Sequence, residues 1–401
     1  MKKGWEIKKL GDVCIVERGS SPRPIKDFIT DDEDGVNWIK IGDTKNIEKY
    51  IYTTKQKITN KGAEKSRFVE EGDFILSNSM SFGKPYIIKT KGYIHDGWFK
   101  LKLHDFVNTE YFYQLLSSPL VNDQFHNLAS GSVVKNISGD LVKKVILPIP
   151  PLPEQKQIVA ILDKAFTSIA TAKENAEQNL LNAKELFESY LQNVFENKGD
   201  DWEEKTLKEV CYKITDGTHQ TPKYFDDGVI FLSSRNVTSG KINWNKVKYI
   251  DEKQHLEMHK RVAPIMKDIL LAKNGTTGVA AMVDRDVTFD IYVSLAHIRV
   301  KDQVKAEFML YFINSPVAKK QFNKRLKGVG VPNLHLNEIR EVVISFPKSL
   351  KEQLQIVKKL NNLSAETKKL EGIYQQKIND LEELKKSVLE KAFKGELKMV
   401  N

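Results

Sequence analysis

His255 and His259 stand four residues apart, a spacing that sets two imidazoles on one helix face, where they can share a metal ion. The intervening Leu256-Glu257-Met258 puts no glutamate directly after the first histidine, so the zinc-protease pattern is not met and the pair reads as a solvated helix face. His95-Asp96 offers a base beside an orienting carboxylate, but no Ser or Cys nucleophile can be tied to it, and Asp96-Gly97 reads as a turn. Only two cysteines occur, which excludes a disulfide framework and a cysteine-rich zinc site. Both lie in short apolar runs, Val13-Cys14-Ile15 and Val210-Cys211-Tyr212, and read as small buried hydrophobes. No phosphate-binding GxxxxGK[ST] pattern and no Gly-rich strand-to-helix fingerprint is present. Nor is there the Asn/Asp-Pro-Pro-aromatic run with which an amino-methyltransferase holds a flipped base. The chain is therefore expected to carry no catalytic residue, metal or cofactor of its own.

The chemistry that is present suits a polyanion. Three sets of short polar loops offer donors at glycine-containing turns, where the backbone can approach a phosphate closely. The first set is Ser77, Asn78, Ser79 and Lys84, answered by Lys273, Asn274, Thr276 and Thr277. The second is Ser132, Lys135 and Asn136, answered by Lys327 and Asn333. The third is Ser20 and Arg23, answered by Thr218, Gln220 and Lys223. Ser234, Arg235 and Asn236 add a guanidinium and an amide, the side chains suited to guanine and adenine edges. All are candidate DNA-binding residues.

These loops fall in pairs because the chain is written twice. Trp5, Leu10, Val13 and Cys14 recur as Trp202, Leu207, Val210 and Cys211, at an offset of 197. "EGDFILSNSMSFG" at Glu71–Gly83 answers "MKDILLAKNGTTG" at Met266–Gly278, and "PEQKQIV" at Pro153–Val159 answers "KEQLQIV" at Lys351–Val357. This is a tandem duplication of one unit of roughly 200 residues. The first part of each copy, 1–152 and 199–350, holds most of the Gly and Pro. Its short β-branched and aromatic runs (Val36–Ile41, Phe74–Leu76, Tyr86–Ile88, Val229–Leu232, Ala280–Val283) predict a strand-rich α+β domain. One helix is expected near Glu110–Ser117 and another near Glu307–Asn314.

The second part of each copy, 153–198 and 351–401, reads as one long helix. Its apolar seam runs Ile158, Leu162, Ala165, Ile169, Ala172, Ala176, Leu180, Ala183, Phe187, Tyr190, Val194 in heptads with one four-residue stutter. The later copy runs Ile356, Leu360, Leu363, Thr367, Leu370, Tyr374, Ile378, Leu381, with its stutter at the matching place. Ile158, Leu162, Ile169, Leu180, Phe187, Ile356, Leu360, Leu370, Tyr374 and Leu381 are the expected packing positions. The predicted fold class is α+β: two tandem-duplicated globular domains separated by two long α-helices, packed as an antiparallel coiled coil about a pseudo-two-fold.

Charge divides the same way. Lys plus Arg number 63 against 53 Asp plus Glu, a net +10. Over 154–198 and 352–398 the helices hold 15 Lys against 15 acidic residues, so the whole surplus belongs to the strand-rich domains and their junctions. The helices are composed to pack and the domains to meet an anion, nucleic acid being the commonest one. No stretch approaches the roughly 18 apolar residues of a membrane span, and MKKGWEIKKL has no signal-peptide core, so a soluble cytoplasmic protein without a membrane partner is expected.

The order of these motifs resembles the specificity subunits of type I restriction-modification systems, across the whole chain. The residues that carry it are Trp5…Leu10-Gly11-Asp12-Val13 with Trp202…Leu207-Lys208-Glu209-Val210, "GDFILSNS" with "KDILLAKNGTTG", "GSVVKNIS" with "GVPNLHL", and "PIPPLPEQKQI" opening the first long helix. The later copy departs from the last motif, keeping Glu352-Gln353 without the two prolines. The resemblance implies that the domains are target-recognition domains, each reading half of a bipartite double-stranded DNA site. It implies that the helices act as a ruler and as a dock for methyltransferase subunits, two in number. Those partners would use S-adenosylmethionine to methylate adenine, and a restriction subunit would use ATP and Mg to translocate and cut. Two readings from other classes remain open at this stage. One is a self-contained site-specific nuclease or methyltransferase, and the other is a coiled-coil protein-binding scaffold.

Overall fold

A computed structural model describes residues 2–78, 83–129, 137–237, 240–275, 277–326 and 333–397. The chain forms two compact units, residues 1–176 with 376–401, and residues 177–375. Each unit therefore combines one globular domain with the adjoining half of one long helix and a half of the other.

In the first unit, Glu6–Lys9 pairs antiparallel with Ile146–Ile149, bringing the two ends of the domain together before the chain enters the central helix. Among the described residues the main sheet orders Cys14–Arg18, Trp98–Leu103, Phe74–Ser77, Pro85–Ile88 and Tyr50–Ile51. A further sheet orders Ile29–Thr30, Gln56–Ile58, Val36–Ile39, Gly92–Ile94 and Arg67–Val69. Phe74–Ser77 is buried at every position because it separates two cores. Phe74 and Leu76 pack with Phe112 and Leu115 of the helix Thr109–Leu116, whereas Ile75 packs with Ile39, Tyr86 and Trp98. Alternate residues of a strand face opposite sides, so a strand covered on both faces must read as a continuous apolar run.

The second unit repeats this plan, with fewer strands among the described residues. Cys211–Asp216, Leu295–Val300, Ile269–Ala272 and Ala280–Met282 form its main sheet, and Lys248–Ile250, Val229–Leu232 and Phe289–Ile291 a smaller one. Ile269 and Leu271 face Phe308 and Phe312 of the helix Ala306–Asn314, while Leu270 faces the core of Leu232, Phe289 and Ile291. Cys14 and Cys211 are buried within these cores, and burial pushes each thiol up to about 12, as expected of packing residues.

The Glu-Gln pair shared by both helix starts has a structural cause. Gln155 is fully buried; its Nε2 donates to the Phe106 and Pro150 carbonyls, and its Oε1 accepts from Asn108 N. Gln353 repeats all three bonds with Gln303, Pro347 and Lys305. Each glutamine bolts the first turn of its helix to the domain before it, its carboxamide offering an acceptor and two N–H donors at the end of a side chain long enough to reach all three partners.

The central helix spans Leu152–Glu196 and the C-terminal helix Leu350–Lys394, 45 residues each. Within the first unit they run antiparallel: Lys173 Nζ lies 2.7 Å from Glu382 Oε1, and Lys385 sits over the Phe166 ring at 5.2 Å. Their ends are used as domain core. Leu389, Ala392 and Phe393 join the core of Tyr111, Phe112 and Ile158 in the first unit. In the second unit Leu191 and Phe195 join Phe308, Phe312, Val357 and Leu360.

The seam departs from the heptad expectation. Ile158, Leu162, Ile169 and Leu360 are buried, and Leu180, Phe187, Ile356, Tyr374 and Leu381 are half-buried. Leu370, however, is 38% exposed, and Tyr190 is 36% exposed where Leu191 and Phe195 turn inward. The buried positions Thr367 and Ile378 stand eleven residues apart, three turns of a straight helix, so a strict heptad drifts off the packed face.

Candidate nucleic-acid interface

In the second unit the loops singled out from sequence meet on one short segment, Tyr292–Ser294, which precedes the strand Leu295–Val300. Lys273 N donates to the Ser294 carbonyl at 2.9 Å, Ser234 N to the Ser294 hydroxyl at 3.0 Å, and Val293 N to the Thr218 carbonyl at 2.9 Å. Asn274 forms an antiparallel bridge with Asn333, and Leu334 N donates to the Lys273 carbonyl at 2.9 Å. The described residues of all three sets of loops, distant in sequence, are thereby brought together.

The first unit uses the same backbone frame. Asn78 N donates to the Gly97 carbonyl at 2.9 Å and Ile137 N to the Asn78 carbonyl at 3.2 Å, the counterparts of the Lys273–Ser294 and Leu334–Lys273 bonds. Arg67 Nε donates to the Arg18 carbonyl as Arg261 Nε does to the Asp216 carbonyl. Gly19 and Gly217 hold matching positions for a steric reason. A Cβ would fall 2.1 Å from the His95 carbonyl oxygen at the one and 1.8 Å from that of Ile291 at the other. That paired glycine was legible at an offset of 198 and marks where each loop crosses its strand.

The side chains on this common frame differ. In the first unit Asp96 is the hub: Ser21 Oγ donates to its Oδ1 at 2.7 Å, Arg23 Nη2 to its Oδ2 at 3.2 Å, and Arg18 Nε and Asn78 Nδ2 to its carbonyl. Burial works to raise the Asp96 carboxyl, but Ser21, its own backbone amide, His95 and Arg23 outweigh it and hold it below the usual range. The expected turn at Asp96-Gly97 is present, and it is also where these loops converge. In the second unit the charge is inverted. Asp216 stands where the first unit has Arg18. Its buried carboxylate takes Lys273 Nζ at 2.6 Å and Arg261 Nη2 at 2.5 Å, with His219 Nε2 at 3.3 Å. Burial would raise Asp216 too; the Lys273 and Arg261 bonds and the His219 contact overcome it and pull the carboxyl down.

Several candidates are spent on the frame itself. Lys273 is buried and paired with Asp216, so it is not a free phosphate donor. Asn78 is buried with its amide on Asp96, and Ser77 is buried with its hydroxyl exchanging bonds with Lys84. Asn236 is buried; its Nδ2 donates to the Asn243 and Lys246 carbonyls and its Oδ1 accepts from Ser233 N. Polar groups committed inside cannot reach a base edge. Arg23, Lys84, Gln220, Lys223 and Arg235 are exposed, and Ser20, Thr218, Ser234, Asn274, Thr277 and Asn333 half-buried. Ser79, Ser132, Lys135, Asn136, Thr276 and Lys327 lie outside the described residues.

Sequence reasoning missed Asp216 and Arg261 and read Asp96 only as a turn residue, because a single charge carries no signal of what it will face. His255 and His259 were also misjudged: they are not simply a solvated face, because both imidazoles, though partly exposed, contact the buried carboxylate of Asp290.

The type I restriction modification DNA specificity domain matches residues 2–182 and again 199–383, one match for each repeat. The chain belongs to that family. It is a DNA sequence-recognising, non-catalytic component that associates with other restriction-modification subunits. Among relatives, the MjaVIII type I restriction enzyme specificity subunit of Methanocaldococcus jannaschii is 24% identical over 99% of this chain and 94% of its own length. The fold resembles a chain solved in work on complex assembly and conformational transition of the type I R-M system (TM-score 0.79, 19% identity, 99% of both chains). It also resembles the HsdS subunit from Thermoanaerobacter tengcongensis (TM-score 0.64, 18% identity, 99% of this chain and 98% of that one). Among the described residues, no helix of the specificity chain is long and apolar enough to cross a membrane.

Proposed function

We propose that each unit reads one half of a bipartite double-stranded DNA target through the loops gathered at Asp96 and at Tyr292–Ser294. The observation that carries this is the shared frame with exchanged side chains. The same main-chain bonds recur in both units, while Arg18 and Asn78 stand in one where Asp216 and Lys273 stand in the other. A frame held constant under changed side chains is what two readers with different half-sites require. Exposed Arg235 and Gln220 are the base-edge candidates of the second unit, and exposed Arg23 and Lys84 those of the first.

The long helices set the gap and present leucines to methyltransferase subunits: Leu181 and Leu186 are 47% and 51% exposed on the central helix, and Leu384 is 48% exposed on the C-terminal one. Two such subunits, with S-adenosylmethionine, and an ATP- and Mg-dependent restriction subunit complete the assembly in the cytoplasm; the chemistry is theirs. The test is Arg235→Ala expressed with the partner methyltransferase, followed by sequencing of methylated sites. One position of one half-site should relax, with a loss of about 1–3 kcal/mol there. Equal relaxation of both half-sites would refute domain-wise reading, whereas weaker binding to all sequences alike would place Arg235 on a phosphate.

A further inference from the structure

We propose that His255, His259 and Asp290 form a binding site for a divalent transition-metal ion of the zinc class. The two histidines lie one turn apart on the helix Glu252–Met258 and at its C-cap, and Asp290 lies on the strand Phe289–Ile291. His255 Nδ1 is 2.6 Å from Asp290 Oδ2, and His259 Nδ1 is 3.1 Å from Asp290 Oδ1. One ligand atom from each of the three residues lies within 4.8 Å of the others. A tetrahedral ion with bonds of about 2.1 Å sets its ligand atoms roughly 3.4 Å apart, so changes in ligand separation of up to about 1.4 Å admit it.

The charge balance points the same way. Among the described residues of this unit, three carboxylates are buried: Asp216, Asp268 and Asp290. Asp216 pairs with Lys273 and Arg261, and Asp268 with Arg299. Among the described residues no lysine or arginine pairs with Asp290, which is 1% exposed and meets only the two imidazoles. A buried carboxylate is costly unless it is paired, and no fixed cation of the chain is paired with this one among the described residues. A divalent ion supplies that pairing and uses both nitrogens as ligands. His259, a third exposed, leaves a side open for a fourth ligand such as water.

The ion would clamp a short helix to the sheet. That helix also holds a loop, since Gln254 accepts from Lys223 N and donates to the Lys223 carbonyl.

The test uses the full chain, stripped with chelator and titrated with Zn²⁺ by calorimetry, with Co²⁺ spectra to report the ligand geometry. One ion per chain should bind, tetrahedral Co²⁺ bands should appear, and the thermal midpoint should rise by roughly 5 °C at a hundredfold excess over Kd. His259→Gln, at the more exposed position, should fold and bind at least tenfold more weakly, as should Asp290→Asn. Binding that is absent, or unaltered in both His255→Gln and His259→Gln, overturns the proposal. So does a wild-type midpoint that ignores excess Zn²⁺.

Discussion

Phe393 is eight residues from the C-terminus, yet it is 2% exposed in the core of the first unit, with its ring edge-on to Tyr111 at 5.5 Å. Phe393→Ala should therefore weaken a domain whose own strands end some 240 residues earlier in the chain. Removing a buried phenyl costs about 3–5 kcal/mol through lost transfer energy and the cavity left behind. The last helical turns can settle partly into that cavity, which favours the lower part of the range, about 3–4 kcal/mol. Hydrogen exchange read by peptide is the assay. Protection across Phe74–Ser77 and Thr109–Leu116 should fall by roughly 10²–10³-fold, the same energy at about 1.4 kcal/mol per decade. Ile269–Ala272 should keep its protection. Phe195→Ala is the mirror experiment, because Phe195 meets Phe308 and Phe312 at 5.3 and 5.4 Å in the second unit. Its effect should fall on Ile269–Ala272 and spare Phe74–Ser77. If Phe393→Ala leaves the first unit untouched, the end of the C-terminal helix is not part of its core and the division of the helices is wrong.

Lys273→Met should destabilise the second unit by about 3 kcal/mol, since it leaves Asp216 buried with Arg261 as its principal cation; adding Asp216→Asn should recover most of the loss. Urea midpoints decide this, and a stable Lys273→Met chain that binds all DNA more weakly would place the lysine on phosphate instead. Asp268 is held at about 2, below its ordinary 3.8, by Arg299, His297 and the Ile265 amide against the opposing effect of burial. Its stabilisation, about 2 kcal/mol, is present above the unfolded value near 4 and is lost as pH falls from there through 2; Asp268→Asn should flatten that acid limb of the urea midpoints. Residues 1–197 should dimerise, because Leu191, Val194 and Phe195 repeat Leu389, Ala392 and Phe393 at an offset of 198 and can fill the same core in a second copy. With methyltransferase present, such a dimer should mark palindromic sites; a monomeric fragment, or non-palindromic marks, would show that the helix ends are not interchangeable.

The duplication, the two long helices and the strand Phe74–Ser77 with its copy Ile269–Ala272 were determined by the sequence alone. These features are periodic or repeated, and a run of apolar residues can satisfy itself only by burial on both faces. The bolts at Gln155 and Gln353 were visible as a repeated Glu-Gln, though not their partners. What tertiary structure decided were the matches between side chains far apart in the chain: Lys273 with Asp216, Asn78 with Asp96, and the two histidines with Asp290. A lysine in a polar glycine-rich loop has the same local appearance whether it faces a phosphate or a buried carboxylate. Only the fold supplies the carboxylate, and burial makes that pairing compulsory, which is why Lys273 turns inward while Arg235 remains at the surface.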